Sequence, residues 1–415
     1  MLYLKRITWG LLAVIFFVAG VLYGMQEALK PGRLFYNTQA LKRVFIPSKA
    51  VPLAPDAGTQ RFYGNDFFLE MHRVDSLGNP KKTGGLLFDS AGKLSVFEQS
   101  EAQSLLGVYG ASKVLQDAII GTNENGGFDG GLKKSFYFKG DAFFYLGLRS
   151  KNDKECFFTS IVNVSKNFEV FRGPCIPNPE AVDFNGSGGG NAILNDQLYF
   201  ALGAPSVNGV ETERLAQDMT SPYGKVLVFQ EEQLLNQPPD KFAFTIFSSG
   251  HRNMQGMVNA GGSLYGVEHG PKGGDEINLL VEGGDYGWPK FSLGSTYSYG
   301  RIQFQGTPYD TVGADPYINP LFSFIPSVAT SDITNCPKAL QRRYDPLRCI
   351  LLSSLRATSI FVVLVEETAN RVVSVERINI GMRVREFSKD KAHNLHVSTD
   401  SFGVFEIKFK NVAAK

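Results

Sequence analysis

Six β-rich runs recur along this chain, and their recurrence limits its fold more than any other feature. GLLFDSAGKLSVFE starts at Gly85, FFYLGLRS at Phe143, LYFALGAP at Leu198, LYGVEHGP at Leu264, ILLSSLRA at Ile350 and NLHVSTDSFGVFEI at Asn394. Intervals of roughly 45 to 90 residues suit four-stranded propeller blades joined by loops of unequal length. A sheet of this kind cannot bury both faces alone, so the sheets must stack in a ring. Six runs predict an all-β, six-bladed β-propeller over residues 59–415, with a pair of β-sandwiches as the alternative. The 44 glycines, 33 phenylalanines and 16 tyrosines fit short strands and tight turns. Helices are expected only as short pieces, ERLAQDM (Glu213–Met219) and EEQLLNQ (Glu231–Gln237).

The N-terminus reads differently. Ile7 to Met25 is an uncharged apolar run long enough to span a bilayer as a helix, preceded by Lys5 and Arg6. Residues 1–25 are therefore expected to be a transmembrane anchor, with a cleaved signal as the alternative. Either places the rest of the chain on the periplasmic or extracellular side. Residues 26–58 carry scattered prolines and no periodicity, the texture of a linker. Four cysteines suit export, and the sequence-adjacent pairs Cys156/Cys175 and Cys336/Cys349 are expected to be disulfides, although four cysteines allow three pairings. No C-x-x-C or Cys/His cluster suggests zinc, and no C-x-x-C-H suggests haem. A net charge of +2 gives no reason to expect nucleic acid as a partner.

The densest chemical text runs from Ser248 to Pro289. It puts Arg252, Asn253 and Gln255 before a strand, and Glu268, His269, Gly270 and Pro271 after one. Strand ends face the mouth of a propeller. An arginine beside an asparagine offers a guanidinium fork and an amide to an anionic, carbonyl-rich ligand. Gly270-Pro271 exposes main-chain carbonyls of the kind a hard cation takes. Asp275, Glu276, Glu282 and Asp285 add acidity for a second cation site, with solvated loops as the plainer reading.

GHRNMQG, EHGPKGGDEINL and GGDYGWP resemble three ordered motifs of the soluble PQQ-dependent glucose/sorbosone dehydrogenase family. GKVLVF at Gly224, IPSVATS at Ile325, ILLSSLRA at Ile350 and RVREF at Arg383 resemble later segments of the same family in the same order. The resemblance implies pyrroloquinoline quinone (PQQ) as cofactor, a small-molecule sugar as substrate, and hydride transfer from an aldose or related alcohol to the quinone. It implies Arg252, Asn253, Arg356, Arg383 and Arg385 as cofactor-binding residues. Asn125, in NENGGFDGG, joins them from the family's first cofactor loop. The carbonyls of Gly270 and Pro271 would hold Ca2+. PQQ is a tricarboxylate, and four arginines around one cavity are electrostatically suited to it.

One element is missing. The family carries a histidine, as base, in the loop that here reads AVDFNGSGGGNAIL, Ala181 to Leu194. None of the five histidines (His72, His251, His269, His393, His396) falls in it. His251 and His269 read as structural. Asn185 or Gly186 takes the position, Asp183 is the nearest candidate base, and the glycine run offers close backbone approach to a ligand. A propeller that binds an anionic ligand with little catalysis is the alternative function. A calcium-dependent lactonase is a third, and it would need side-chain carboxylates around the metal.

Overall fold

Alternating burial along short segments produces strands almost everywhere in the computed structural model. It describes residues 59–411 apart from 65–66, 78–79, 89–91, 102–105, 108–112, 120–129, 178, 180–181, 206–209 and 295–315. β1 (Thr59–Tyr63) and β2 (Phe67–Arg73) form one hairpin; β3 (Thr83–Phe88) and β4 (Leu94–Glu98) form another. β5 (Ala118–Ile119), β6 (Gly131–Phe138), β7 (Asp141–Ser150), β8 (Phe157–Asn163) and β9 (Phe168–Arg172) make the next sheet.

Three sheets then follow in unbroken sequence order. The first is β10 (Gly188–Leu194), β11 (Gln197–Leu202), β12 (Lys225–Phe229) and β13 (Thr245–Ser248). The second is β14 (Met254–Ala260), β15 (Ser263–Glu268), β16 (Asp275–Leu280) and β17 (Phe322–Phe324). The third is β18 (Thr330–Asn335), β19 (Arg348–Ser354), β20 (Ser359–Glu366) and β21 (Arg371–Asn379). β22 (Val384–Lys389), β23 (Leu395–Thr399) and β24 (Gly403–Asn411) complete the chain, and β24 pairs antiparallel with β2. The described strands thus form six sheets, and each repeated run of the sequence lies in a different one.

The leading strands of these sheets pack in a cycle: β3 on β6, β6 on β10, β10 on β14, β14 on β18, β18 on β22, and β22 back on β3. The apolar core lies between successive sheets. Phe136, Phe143 and Tyr145 of one sheet meet Phe200 of the next, and Phe324 meets Phe361. This is why strands such as β8 are buried along their whole length, on both faces.

The all-β expectation holds, and both cysteine pairs are disulfides, with Cα–Cα distances of 4.9 and 5.5 Å. Short helices occur at α1 (Val210–Arg214) and α2 (Glu231–Leu235), within or beside the two expected segments. A third, α3 (Lys338–Tyr344), was not legible between its disulfide cysteines. Among the described residues no helix is long and apolar enough to cross a membrane; the run Ile7–Met25 lies outside them.

The last glycine of the run, Gly190, has a packing use. A Cβ on Gly190 would lie 2.9 Å from the Gly256 carbonyl carbon, and one on Gly256 would lie 2.7 Å from the Asp332 Cα. Close approach at these two positions is between β10, β14 and β18. Gly256→Ala therefore has backbone, which cannot yield, as its neighbour. It is expected to lower stability by about 1–3 kcal/mol, the usual cost of overpacking, read as a lower denaturant midpoint at unchanged slope.

Candidate functional site

The N-terminal ends of the leading strands gather at one mouth of the ring, where a hydrogen-bonded arc joins them. Its hub is Asn253, immediately before β14. The Asn253 Oδ1 accepts from the Gly188 amide (3.0 Å) and from Gln255 Nε2 (2.6 Å). Its Nδ2 donates to the Asn185 carbonyl (3.1 Å) and to His269 Nδ1 (3.3 Å). The opposite His269 nitrogen, Nε2, donates to the Thr330 carbonyl (2.5 Å), so one neutral tautomer satisfies both neighbours. Burial holds His269 below the usual histidine value. Arg252 and Arg385 add to this, against the opposing pull of Asp275 and the Thr330 carbonyl. Both ring nitrogens are committed, which fits the structural reading of His269.

His251 is structural as well. It is fully buried, shares a hydrogen bond with Ser248 Oγ (2.9 Å), meets Glu268 Oε1 (3.1 Å) and stacks on Tyr286. Glu268 also accepts from the Arg252 amide (2.9 Å) and Asn278 Nδ2 (2.8 Å). Burial alone would raise its carboxyl; His251 and these donors hold it below its usual value. Burial and the adjacent Glu268 push Glu276 well above the carboxylate range.

The second cation site does not assemble. Asp275 is filled by donors from the Gly270, Val328 and Ala329 amides and Ser327 Oγ, at 2.6–3.2 Å. Asp285 is held by Gln217 Nε2 and the Gly287 amide. These carboxylates pin loops together. Among the described residues no group of three or more His, Cys, Asp or Glu side chains could hold a metal.

Three of the four predicted arginines are tied to this mouth by contacts. Arg252 lies over the Trp288 ring (5.3 Å) and donates to the His269 and Gly270 carbonyls, each at 3.3 Å. Arg383 and Arg385 share Asp400, at 3.0 and 2.8 Å. The Val384 carbonyl, between Arg383 and Arg385, accepts from Oγ of Ser331 (2.6 Å), the residue after Thr330. Arg356 is exposed just past β19, with its amide bonded to the Val328 carbonyl on the same rim. Asn125 lies outside the described residues.

Two guanidinium groups on one carboxylate leave a net positive charge, and the buried Thr330 hydroxyl has no hydrogen-bond partner among the described residues. Both features suit an anionic, oxygen-rich ligand such as the one the sequence implies. Calcium fits less well in this arrangement, because the Gly270 oxygen faces the Arg252 guanidinium.

The loop that lacks the histidine sits at the mouth as expected, through the bond from Asn253 to the Asn185 carbonyl. Asp183 caps the turn Phe184–Gly186, its Oδ1 accepting from the Asn185 amide (2.9 Å) and Nδ2 (2.8 Å). Asn185 Oδ1 in turn accepts from Lys82 Nζ (2.8 Å), which stands just before β3. Lys82 and Asp400 were missed from sequence. Asp400 lies within one of the repeated runs, just past β23, but no motif marks its partners.

Further along the same strands, a charged cluster crosses the axis. Lys134 of β6 meets Glu386 of β22 (2.9 Å) and Asp332 of β18 (3.5 Å), and Asp332 also accepts from the Phe387 amide. Burial pushes Glu386 up to about 7. Burial opposes the Lys134 charge, yet the two carboxylates raise its pKa above the usual lysine value. A cavity of about 280 Å³ opens beside the cluster, lined also by Asn191, Thr334 and Ser388.

Residues 165–404 match the Glucose / Sorbosone dehydrogenase family. An aldose sugar dehydrogenase of Escherichia coli is 33% identical over 124 residues, covering 28% of this chain and 32% of that protein. Quinoprotein glucose dehydrogenase B of Acinetobacter calcoaceticus is 37% identical over 98 residues, covering 21% and 20%. The chain thus spans about a third and a fifth of the length of these relatives. The PQQ-bound aldose sugar dehydrogenase of Streptomyces coelicolor has the same fold. It superposes with a TM-score of 0.53 at 18% identity, covering 82% of this chain and 98% of that one.

The axial cluster predicts a pH dependence. A carboxyl whose folded pKa is raised from 4.5 to about 7 contributes stability below the lower value and loses it as pH rises through the upper. The thermal stability of the wild type should therefore fall, relative to that of Glu386→Gln, as pH rises from 5 to 8. A constant difference between the two across that range would contradict the assignment.

Proposed function

Because the chain belongs to the glucose/sorbosone dehydrogenase family, we propose that it is a six-bladed β-propeller enzyme that oxidises an aldose or related alcohol by hydride transfer to PQQ. The observation that carries this reading is the mouth: Arg252 donates to the His269 and Gly270 carbonyls, and Arg383 and Arg385 share the single carboxylate of Asp400. A tricarboxylate supplies the missing negative charge. When bound, the ortho-quinone supplies a two-electron acceptor.

The chain's own residues bind, orient and exclude water. Arg252 and Arg385 hold the anion, with Arg383 and Arg356 at the rim. Asn253 keeps the starts of β10, β14 and β18 in register beneath it. Trp288 shields one face of Arg252 from solvent. His269 cannot serve as base while Asn253 and Thr330 occupy its nitrogens, so the alcohol proton falls to a carboxylate. Asp183 is in the right loop, with Oδ1 used for capping.

Calcium at the Gly270 and Pro271 carbonyls joins this reading once the anion draws Arg252 away from the Gly270 oxygen. Two carbonyls are a minority of the roughly six to eight oxygens calcium takes. The cofactor and water would provide the rest. Export also belongs to the proposal, with Ile7–Met25 as the tether and the sheets on the periplasmic or extracellular side. Two disulfides and no free cysteine support an oxidising compartment.

PQQ titration by absorbance, followed by sugar-driven dye reduction, tests the reading. Arg385→Ala should weaken PQQ binding by roughly 10- to 100-fold, the loss of one charge-assisted contact. Unchanged affinity would remove the cofactor assignment. Tight binding without dye reduction by any aldose would leave a binding protein instead.

A further inference from the structure

The far end of the axis is built unlike the mouth. A cavity of about 280 Å³ opens there, and every leading strand gives it a wall: Leu86 of β3, Lys134 of β6, Asn191 of β10, Met257 of β14, Thr334 of β18 and Ser388 of β22. These residues lie in the middle or final part of their strands, whereas the mouth gathers the strand starts. The cavity therefore opens at the end of the axis opposite the mouth.

Its inner end is the charged cluster. β6 and β18 stand three steps apart whichever way the packing cycle is followed, so Lys134 reaches Asp332 across the axis. Glu386 meets the same ammonium from β22. Asp332 and Glu386 are 6% and 4% exposed. Strand alternation puts Thr334 on the face of β18 that carries Asp332, and Ser388 on the face of β22 that carries Glu386. Each hydroxyl stands one step from a carboxylate, toward the opening. Ser135, also buried, is in the same wall, and its hydroxyl has no hydrogen-bond partner among the described residues.

Folding alone does not require this arrangement. Two buried carboxylates against one ammonium leave an excess of negative charge, and apolar side chains would close an axis at less cost. The ammonium is also unequally shared. Lys134 Nζ lies 2.9 Å from Glu386 but 3.5 Å from Asp332, past the usual range of a charged hydrogen bond. Asp332 keeps acceptor capacity beyond the Phe387 amide it receives. The fourth charged residue of the wall, Lys389, ends β22 and donates to the Asn335 carbonyl (3.2 Å) at the end of β18. It lies at the rim, so the inner end keeps its negative excess.

We propose that this axial cavity is a second ligand site, taking a small organic cation with a primary ammonium head and a short apolar chain. The head meets Asp332 and Glu386, with the Thr334 and Ser388 hydroxyls as further acceptors. Three donors on one ammonium match acceptors that converge from two sheets. The chain lies along Leu86 and Met257. A metal ion is a poorer occupant, because Lys134 already holds the centre of the cluster and no group of three or more metal-binding side chains occurs among the described residues. The site is independent of what the mouth binds and stands whether or not the chain oxidises a sugar.

Calorimetric titration of the full chain with n-butylammonium chloride, in an amine-free buffer, tests the site. Saturable binding is expected, with butan-1-ol and sodium butyrate weaker by roughly 10- to 100-fold, the loss of one charge-assisted contact. Affinity should rise between pH 6 and 8 as Glu386, pushed up to about 7, ionises. Asp332→Asn and Glu386→Gln should each weaken n-butylammonium by the same roughly 10- to 100-fold. Ser388→Phe and Thr334→Phe fill the cavity from its outer part and leave the charged cluster intact. Each should abolish binding, with a cooperative thermal transition showing that the variant is folded.

Absence of saturable n-butylammonium binding overturns the inference. So does binding of butan-1-ol or butyrate as tight as that of the amine. Undiminished binding in a folded Ser388→Phe or Thr334→Phe places the amine elsewhere and overturns it too.

Discussion

The pairing of β2 with β24 is the contact on which the rest of the architecture depends. Seven residue pairs, from Phe67 with Asn411 to Arg73 with Phe405, join the two ends of the described chain. The intervening sheets bury apolar faces only against their neighbours, so the first and last would each expose a face if the ring stayed open. Closure costs the entropy of a very long loop, but that cost rises only logarithmically with length. Once closed, the ring brings the starts of β3, β10, β14, β18 and β22 to one mouth.

That convergence makes the mouth electrostatically distinctive. Lys82, Arg252 and the pair Arg383 and Arg385 come from three separate stretches of chain, while Asp183 and Asp400 oppose them. The axis a few residues further along has the opposite balance, two carboxylates to one lysine, and part of the excess is relieved by the raised pKa of Glu386. An anion is thus favoured at the mouth and disfavoured deeper in. The hydrogen bonds centred on Asn253 hold the rim in one geometry, so a ligand meets preset donors rather than ordering them itself.

Burial explains why neither histidine of the motifs is available for proton transfer. His251 and His269 are each locked by two partners, and their loops depend on that. The mouth holds arginines of its motifs, while the loop without the histidine carries Asn185, a residue that bridges Lys82 and Asp183.

The sequence by itself determined the strand-rich character, the six recurring runs, the family motifs with their arginines, and the absence of histidine from the loop. These are periodic or contiguous signals, carried by residues close together in the chain. Tertiary structure alone decided that Gly190 and Gly256 serve strand contact, and that Asp275 and Asp285 pin loops instead of gathering a cation. It also decided that Asp400 answers two arginines and that Lys82 reaches Asn185. Each of these depends on partners that come from different segments and meet only when the ring closes. A side chain's neighbours across that ring, not its place in a motif, set whether its charge is spent or available.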